Sequence, residues 1–537
     1  MAACMTAACL TAACQPAPAG PSADRPTLAV LLVIDQLRPD LLSRYDHLYV
    51  GGLRTLIDEG YRFTNATHDH AVTTTGPGHT TLSTGVYPTR HGIVGNAWRQ
   101  FEDGLLRPMY SMEDLDSPIL GESELPGRSP ANIERRGIAD WIADRDPDSR
   151  VVAISKKDRA AIGMATQARG EVYWVVERGS GFVTSEYYHS EYPAWIEDFN
   201  ANLMPLDYSD TLWESRVPPE GRSLTLPDTS EWELEGRFEP GYTAFPHRAG
   251  DLVDAADPGE VNYWRWRYTP FPDRAVVSLA LEAIEEFELG QRGSVDFLGV
   301  SLSQTDLVGH RFGPRSPEQL DNLLRLDSEL DRLFSFLDDE VGAGRWVVAM
   351  SADHGVLGIP EVLAEEGVDA RRLTRAERQE IQERIRDALK GAGEDGVPED
   401  EATQDAVKAT LVALPYIAAA YTFAEVERAD APDSFQVLFA HSHSRTRVLA
   451  PAAFAGVYVR YEPNTLTSFA SSATHSSPYY YDRHVPLIFL GGTIRSGVST
   501  NPVATVDVAP TLAWLTGTPA PDDLDGRVLE SVVLDSP

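Results

Sequence analysis

Residues 27 to 34 read TLAVLLVI, an apolar run that ends at Asp35. An apolar run without polar alternation is typical of a strand buried on both faces of a parallel sheet. Four further runs have the same character: RVVAIS (150 to 155), VDFLGVSLS (295 to 303), RWVVAMS (345 to 351) and VPLIFLG (485 to 491). Helical patterns lie between them: AVVSLALEAIEEFELG (275 to 290), PEQLDNLLRLDSELDRLFSFLDD (317 to 339) and VDVAPTLAWLTG (506 to 517). This alternation predicts a layered α/β/α fold with a mostly parallel central sheet.

Two stretches interrupt the alternation, at about 160 to 270 and about 357 to 465. The first is rich in Trp, Tyr and Pro, and the second carries the charged helical pattern TRAERQEIQERIRDALK (374 to 390). We interpret both as sizeable insertions that cover the ligand-binding edge of the sheet, not as independent domains. Residues 26 to 537 are therefore predicted to form a single domain.

The composition of the chain disfavours two classes of partner. The chain has 537 residues, with 81 Asp and Glu against 46 Lys and Arg, and a net charge of -35. Such a surface disfavours non-specific binding to nucleic acid or to an anionic membrane face. Beyond the leader, the sequence lacks the roughly 18 uninterrupted apolar residues that span a bilayer. A globular enzyme or binding protein is the default reading.

The first 25 residues read as a leader and linker. All three cysteines, Cys4, Cys9 and Cys14, lie in the opening MAACMTAACLTAAC, so the rest of the chain has no disulfide and no thiolate metal ligand. The opening resembles the end of a secretory signal, with LTAAC as an imperfect lipoprotein cleavage box. This predicts a periplasmic or cell-envelope protein with a lipid anchor. The alternative is the disordered N-terminus of a cytoplasmic protein.

Carboxylates and imidazoles follow the predicted strands. In open α/β sheets, ligands collect beyond the carboxyl ends of the strands. A single Asp or His at such a place is more often a turn or cap residue, but several within one sheet are harder to explain that way. Zn²⁺ takes these ligands when thiolate is absent, and a pair of metal ions needs about six of them. The candidates are Asp35, Asp306, His310, Asp353, His354, His475 and His484.

The segment TTTGPGH (73 to 79), followed by HGIVGN (91 to 96), raises the question of a nucleophile. A Gly-Pro-Gly turn leading into HTTLSTG predicts a helix start, where free N–H groups favour an anion. A threonine held there by a metal ion would be activated as a nucleophile. The motif alone does not decide which threonine acts, and turn chemistry is the alternative.

The segment SKKDRAA (155 to 161) holds two of the four lysines in the chain, next to Arg159. An ammonium and a guanidinium suit the non-bridging oxygens of a phosphoryl group. A solvated basic turn is the alternative, but the position directly after a predicted strand favours a binding role.

Together these segments resemble the alkaline phosphatase superfamily, and most closely its PafA-type branch of threonine-nucleophile phosphate monoesterases, related to the type I phosphodiesterases and nucleotide pyrophosphatases. The resemblance runs in order from about residue 26 to 520 and implies an alkaline-phosphatase-like fold. It is carried by VIDQLRPDLL, TTTGPGHTTLSTGVYPTRHGIVGN, SKKDRAA, SQTDLVGHRFGP, SADHGV, THSSPYYYDRHVPLIF and VDVAPTLAWLTG.

The resemblance implies a role for each matching residue. Thr75, directly before Gly-Pro-Gly, is the implied nucleophile, and Asn96, Lys157 and Arg159 are the implied contacts to the phosphoryl oxygens. Two Zn²⁺ per chain are implied. One would be held by Asp306, His310 and His475, and the other by Asp35, Asp353, His354 and the Thr75 oxygen. The chain has HSSP where family members often show HGSP, which leaves His484 as an alternative to His475. His79 and His91 are read as structural.

The implied reaction is hydrolysis of small-molecule phosphate monoesters through a covalent phosphothreonine. A phosphodiesterase or nucleotide pyrophosphatase is the alternative, but the diesterases of the superfamily lack the KDR segment at this place. A sulfatase is disfavoured because no C/S-x-P-x-R motif surrounds Thr75. A binding protein that keeps the fold without turnover is the non-enzymatic reading. The natural substrate and the oligomeric state do not follow from the sequence, and we expect a monomer.

Overall fold

The computed structural model describes residues 25–102, 105–122, 124–176, 181–202, 212–230, 232–233, 243–249, 266–390, 400–428, 434–449, 452–468 and 471–533. The strands are β1 Leu28–Ile34, β2 Tyr61–Thr67, β3 Ala97–Glu102, β4 Leu105–Tyr110, β5 Val151–Ser155, β6 Glu171–Val176, β7 Gly181–Val183, β8 Leu212–Trp213, β9 His247–Arg248, β10 Asp296–Leu302, β11 Trp346–Ser351, β12 Arg371–Arg372, β13 Ile417–Thr422, β14 Arg447–Val448, β15 Val457–Tyr461, β16 Thr465–Leu466, β17 His484–Gly491, β18 Gly497–Ser499 and β19 Val503–Ala504.

Helices separate most of these strands. They are α1 Pro39–Arg44, α2 Gly52–Glu59, α3 Thr75–Thr84, α4 Pro88–His91, α5 Ile138–Arg145, α6 Asp158–Ala165, α7 Ala194–Asn202, α8 Pro219–Arg222, α9 Phe271–Glu286, α10 Gln304–Phe312, α11 Pro317–Phe336, α12 Pro360–Glu365, α13 Arg375–Ala388, α14 Glu401–Val412, α15 Phe423–Val426, α16 Ser434–His441, α17 Tyr480–Arg483 and α18 Val508–Thr516. None of the helices in the described ranges is long and apolar enough to cross a membrane.

A ten-stranded sheet forms the centre of the fold. Its strand order is β18-β2-β17-β11-β1-β10-β5-β6-β7, with β19 also paired to β2. The five strands from β11 to β6 run parallel to one another, whereas β17 is antiparallel to both of its neighbours and β7 is antiparallel to β6. The fold is therefore mixed α/β with a mostly parallel central sheet, as the apolar runs predicted.

Strand β1 is buried on both faces, and its alternate residues enter two different cores. Leu28, Val30, Leu32 and Ile34 pack in one core with side chains of α2, α9 and α11. Ala29, Leu31 and Val33 pack in the other with side chains of α5, α6 and α18. Each large apolar side chain buried this way contributes about 1.5–3 kcal/mol. Helices on both faces of one sheet make the three predicted layers.

The first predicted insertion begins later than residue 160. Helix α6 and strands β6 and β7 belong to the main layers, since β6 pairs with β5 and β7 with β6. The segment EVYWVV is included in the predicted insertion because that stretch is rich in Trp, Tyr and Pro and has little periodicity. Aromatic side chains fit a buried strand equally well, and the central residues of β6 are buried.

The second predicted insertion contains small structural units of its own. Strands β13 and β15 form an antiparallel pair, and the charged pattern at 374 to 390 forms α13 with a capping box at Thr374 and Glu377. A small core separate from the two sheet cores includes Leu373, Ile381 and Val457. The predicted leader, residues 1 to 25, lies outside the described residues except for Arg25.

Candidate active site

Three carboxylates meet where adjacent parallel strands end. Asp35 directly follows β1, Asp353 lies two residues after β11, and Asp306 lies in the first turn of α10, which begins after β10. The strands are neighbours with parallel direction, so their carboxyl ends lie at one edge of the sheet. All three side chains are buried. The sequence predicted this convergence from the strand ends alone.

Three histidines are oriented towards these carboxylates by backbone carbonyls. In each ring Nδ1 hydrogen-bonds a carbonyl oxygen, which only accepts, so Nδ1 carries the proton and Nε2 of the neutral ring keeps its lone pair. The bonds run from His310 to Ala473 (2.7 Å), from His354 to Gly355 (3.0 Å) and from His475 to Thr73 (2.6 Å). Nε2 of His310 lies 3.0 Å from Asp306 Oδ1, and Nε2 of His475 lies 3.6 Å from the same atom.

The ligand atoms form two overlapping groups that fit metal ions. One is Asp35, Asp353 and His354, and the other is Asp306, His354 and His475, with the ligand atoms of each group within 4.8 Å of one another. His354 is thus close to both groups, whereas the sequence assigned it to one. Asp35 Oδ1, Asp353 Oδ2 and His354 Nε2 are buried without a hydrogen bond. Buried polar atoms without a hydrogen bond are rare, and His354 Nε2 lies 3.5 Å from Asp35 Oδ1 and 3.4 Å from Asp353 Oδ2, an arrangement that a divalent cation would satisfy.

Lys157 lies between the two groups. Its Nζ donates to Asp35 Oδ2 at 2.5 Å and to Asp306 Oδ2 at 2.6 Å, and the side chain is buried. Burial raises the pKa of Asp35 well above its ordinary value, and the charge of Asp353 adds to that shift. Burial acts in the same direction on Asp306, but His310 and Lys157 bring its pKa below the ordinary value. An ammonium has three N–H donors, so two carboxylate contacts leave one for a phosphoryl oxygen.

Gln36 bridges the two groups, and the sequence analysis did not single it out. Its backbone N–H donates to Asp353 Oδ1 at 3.1 Å and its side-chain Nε2 to Asp306 Oδ1 at 2.5 Å. Gln36 makes both bonds from a left-handed backbone, with φ at 65°. A Cβ at Gly309 would collide with the carboxamide, so that glycine leaves room for the bridge. A signal was present in the sequence, because Gln36 is a polar residue next to a strand-end aspartate.

Thr75 is the first residue of α3 and is buried. The glycines after it allow two close approaches. A Cβ at Gly78 would collide with the backbone of Asp353, and a Cβ at Gly76 would lie 3.3 Å from Asn96 Oδ1. Gly-Pro-Gly therefore brings the start of this helix against the strand end that carries Asp353.

The start of α3 offers fewer N–H donors than the sequence predicted. The Gly76 N–H donates to Asn96 Oδ1 at 2.7 Å, and Pro77 has no N–H. The Gly78 N–H closes the first turn on the Thr74 carbonyl. An anion at this helix start would therefore find the Thr75 N–H and the helix dipole. The bond from Gly76 also fixes the Asn96 carboxamide, whose Nδ2 is left as a donor.

Arg159 lies on α6, which packs against α3. Its Nη1 donates to Tyr110 Oη at 3.4 Å, and Tyr110 Oη in turn donates to Asp158 Oδ1. Arg128 Nε binds the other oxygen of Asp158 at 2.7 Å. Tyr110 pairs with Ala97 across the β3–β4 hairpin, which places it beside Asn96. Nothing local in the sequence indicated Tyr110.

His475, not His484, lies among the ligand groups. His484 Nε2 hydrogen-bonds the Thr64 carbonyl at 2.9 Å, and its ring stacks on Tyr480. His79 lies behind Thr75 and bonds its carbonyl through Nδ1 at 2.9 Å and Ser301 through Nε2 at 2.8 Å. His91 Nε2 is 3.1 Å from Thr81 Oγ1. These contacts agree with a structural role for His79 and His91.

Ser476 occupies a backbone conformation that favours glycine. Its φ is 94° and its side chain is exposed. Ser476 is also the position at which the chain has HSSP where related motifs often show HGSP. A serine at this φ stores backbone strain of roughly 1–3 kcal/mol, and such strain is concentrated at functional sites.

We expect Ser476→Gly to raise the free energy of unfolding by about 1 kcal/mol, because strain relief exceeds the roughly 0.5–1 kcal/mol lost through the more flexible unfolded chain. Urea denaturation measures this change. As a control, Ser328→Gly on the exposed face of α11 should lower stability by about 0.5 kcal/mol. If both variants lowered the free energy of unfolding by the same amount, the strain assigned to Ser476 would be contradicted.

Residues 29–459 match the model of the type I phosphodiesterase / nucleotide pyrophosphatase family, and the chain belongs to that family. Over 95% of its length it is 29% identical to the alkaline phosphatase PhoV of Synechococcus elongatus, covering 93% of that protein. It is also 29% identical to the alkaline phosphatase PafA of Elizabethkingia meningoseptica, with 95% of each chain covered. The crystal structure of wild-type PafA matches 96% of this chain and 100% of its own, with a TM-score of 0.85 and 28% identity. The fold expected from the sequence motifs is thus confirmed.

Proposed function

We propose that the protein is an alkaline phosphatase that hydrolyses phosphate monoesters to an alcohol and inorganic phosphate through a covalent intermediate on Thr75. The observation that carries the proposal is the position of Lys157, whose ammonium contacts one carboxylate from each predicted metal set. Phosphoryl contacts and metal ligands therefore meet in one centre. The similarity to two alkaline phosphatases over nearly the whole chain supports the same activity.

Two Zn²⁺ fit the residues of this centre. Asp306, His310 and His475 would hold one ion, and Asp35, Asp353, His354 and the Thr75 oxygen would hold the other, with His354 close to both. When bound, the two ions supply positive charge that activates the attacking oxygen, stabilises the departing oxygen and neutralises the transferred phosphoryl group. The buried atoms of Asp35, Asp353 and His354 that have no hydrogen bond support this assignment.

The side chains of the protein bind and orient the ester. Thr75 Oγ1 loses its proton to solvent and attacks phosphorus, forming the threonine ester while the bond from phosphorus to the alcohol oxygen breaks and that oxygen takes a proton from solvent. Water then cleaves the threonine ester and releases phosphate. Asn96 Nδ2, Lys157 Nζ and Arg159 donate to the non-bridging oxygens as charge develops on them, and donors fixed in advance are the effective ones. Asn96 is fixed by Gly76, and Arg159 by Tyr110.

The family includes phosphodiesterases by name. The preference for monoesters over diesters therefore rests on the charged side chains of the site. A monoester dianion presents one more charged oxygen than a diester. Lys157 and Arg159 supply two cations. Lys157 is the N-cap residue of α6 and Arg159 lies in its first turn, and α6 packs against α3. This surplus of positive donors favours the monoester.

The test is metal reconstitution with two substrates. We expect the chelated protein to be inactive and p-nitrophenyl phosphate turnover to rise until two equivalents of Zn²⁺ are bound. At saturation, kcat/KM for p-nitrophenyl phosphate should exceed that for bis-p-nitrophenyl phosphate by at least about a hundredfold, which two positioned donors can supply. The reverse preference would make the protein a diesterase. No turnover of either ester would contradict the enzymatic proposal.

The proposal includes a cell-envelope location with a lipid anchor, supported by the composition of residues 1 to 25. Fractionation of cells that express the full chain tests the location. The monomer expected from the sequence stays a prediction.

A further inference from the structure

A mostly apolar cavity of about 480 Å³ adjoins the candidate active site. One side of it is formed by Thr74, Asn96 and Ser476. Thr74 directly precedes Thr75, Asn96 accepts a hydrogen bond from Gly76 in the nucleophile helix, and Ser476 directly follows His475. The opposite walls come from the second insertion, and Leu373, Ile381 and Val459 are among them. The cavity therefore lies between the catalytic centre and the insertion.

Aromatic side chains form part of its lining. Phe439 and Tyr458 are buried, and their rings stack with centroids 5.2 Å apart. Two polar side chains on the lining, Arg378 and Gln382, are on α13 and exposed to solvent. An apolar interior with a few polar groups at one end is typical of a small-molecule site.

The cavity meets the candidate active site at Thr74, Asn96 and Ser476. In an in-line displacement the leaving oxygen lies opposite the attacking Thr75 oxygen. With the ligand sets proposed above, that side is the one formed by Asp306, His310 and His475, and Ser476, which directly follows His475, lines the cavity. A carbon skeleton attached to that oxygen would then reach the cavity past Ser476.

We propose that this cavity binds the alcohol part of the ester and selects phosphate monoesters of bulky apolar alcohols, in particular those with an aromatic ring. The inference rests on the proposed phosphatase activity. The volume supports it, because a dry cavity of about 150 Å³ already takes a benzene molecule. A cavity of about 480 Å³ accommodates a larger aromatic group together with the chain that links it to the ester oxygen.

The test compares two substrates with the same leaving-group chemistry, ethyl phosphate and 2-phenylethyl phosphate, on the full zinc-loaded chain. Both release a primary alkoxide, so they differ only in a remote ring. We expect kcat/KM for 2-phenylethyl phosphate to be at least about tenfold higher, since burial of even one methylene group can give that factor. In the same assay, 2-phenylethanol should inhibit competitively and ethanol should not.

The variant Val459→Asp places a carboxylate on the cavity wall, far in sequence from every predicted catalytic residue. It should remove most of the advantage of 2-phenylethyl phosphate and leave ethyl phosphate hydrolysis within about twofold of the parent, because only the ring meets the new charge. The matched control is Val498→Asp on β18, where the side chain is already 54% exposed. If the first variant fails to fold, Val459→Thr, which keeps the side-chain shape, should lower the ratio in the same direction.

The outcomes separate this inference from the proposed function. If p-nitrophenyl phosphate and ethyl phosphate are hydrolysed but the two alkyl esters have equal kcat/KM, the phosphatase proposal stands and the assignment of the cavity is wrong. If Val459→Asp lowered kcat/KM for both alkyl esters by the same factor, the assignment of the cavity would also be overturned. Glucose 6-phosphate turned over faster than 2-phenylethyl phosphate would overturn the apolar preference. Failure of every ester would contradict the phosphatase activity itself.

Discussion

Thr75→Ala is expected to lower kcat/KM for p-nitrophenyl phosphate by about 1000-fold or more, because loss of a nucleophile removes the covalent route and leaves only the positioned donors and metals. Thr75 begins α3, where Gly76 and Gly78 allow close contact with Asn96 and Asp353. Steady-state kinetics of the zinc-loaded protein measures the change.

The neighbouring threonine provides the control. Thr74 precedes the helix and lines the apolar cavity, yet it has no assigned chemical role. Thr74→Ala should retain activity within about tenfold of the parent, the range of a small positioning change. Acid quenching during turnover should trap phosphate on a peptide containing Thr75, detectable by mass spectrometry. Phosphate trapped on Thr74, or the same loss of kcat/KM in Thr74→Ala and Thr75→Ala, would contradict the assignment of Thr75 as the nucleophile.

The second large effect is expected from removing both cations of the KDR segment. Lys157→Ala combined with Arg159→Ala should lower kcat/KM for the monoester by about 1000-fold, since the loss of one positioned donor can cost about a hundredfold or more. Hydrolysis of bis-p-nitrophenyl phosphate should fall by less than about tenfold, because a diester has fewer charged oxygens to lose. The ratio of kcat/KM for the monoester to kcat/KM for the diester should therefore fall, and steady-state kinetics with both substrates measures this ratio.

A double variant with the same charge change controls for global electrostatics. Arg386→Ala with Lys390→Ala removes two cations from the exposed end of α13 and its flank, and should leave both activities unchanged. Zinc content must be measured alongside, because Lys157 also contacts Asp35 and Asp306. An unchanged monoester rate in the KDR variant, at full zinc content, would contradict the assigned role.

The sequence predicted the buried strands of the sheet well and the remaining strands poorly. The five apolar runs correspond to β1, β5, β10, β11 and β17. Burial on both faces gives such a run a clear signature, but it does not encode strand direction, so the antiparallel β17 was not distinguished. Strand β2 reads YRFTNAT with mixed burial, and β6 is rich in aromatic residues, so neither has a continuous Val and Ile pattern.

The residues of the candidate site also fall into those that the sequence predicted and those that it did not. Asp35, Asp306 and Asp353 follow strand ends, and adjacency in a parallel sheet makes their convergence predictable from order along the chain. Gln36 stands next to a strand-end aspartate, but its two bonds, made from a left-handed backbone, are visible only in the structure. Tyr110 required three-dimensional information altogether, since the pairing of a hairpin brings it to the site. The apolar cavity was not foreseen, because its walls come from two segments far apart in the sequence, at 71 to 97 and 373 to 478.

The small core around Leu373, Ile381 and Val457 is separate from the two cores that hold the central sheet. Ile381 and Val457 also line the cavity next to the catalytic centre. Repacking of this core would reshape the chamber beside the ester while the strands that carry the carboxylates keep their own support. Chemistry and substrate preference can therefore diverge independently in evolution, with one inherited through the sheet and the other adjusted through the insertion.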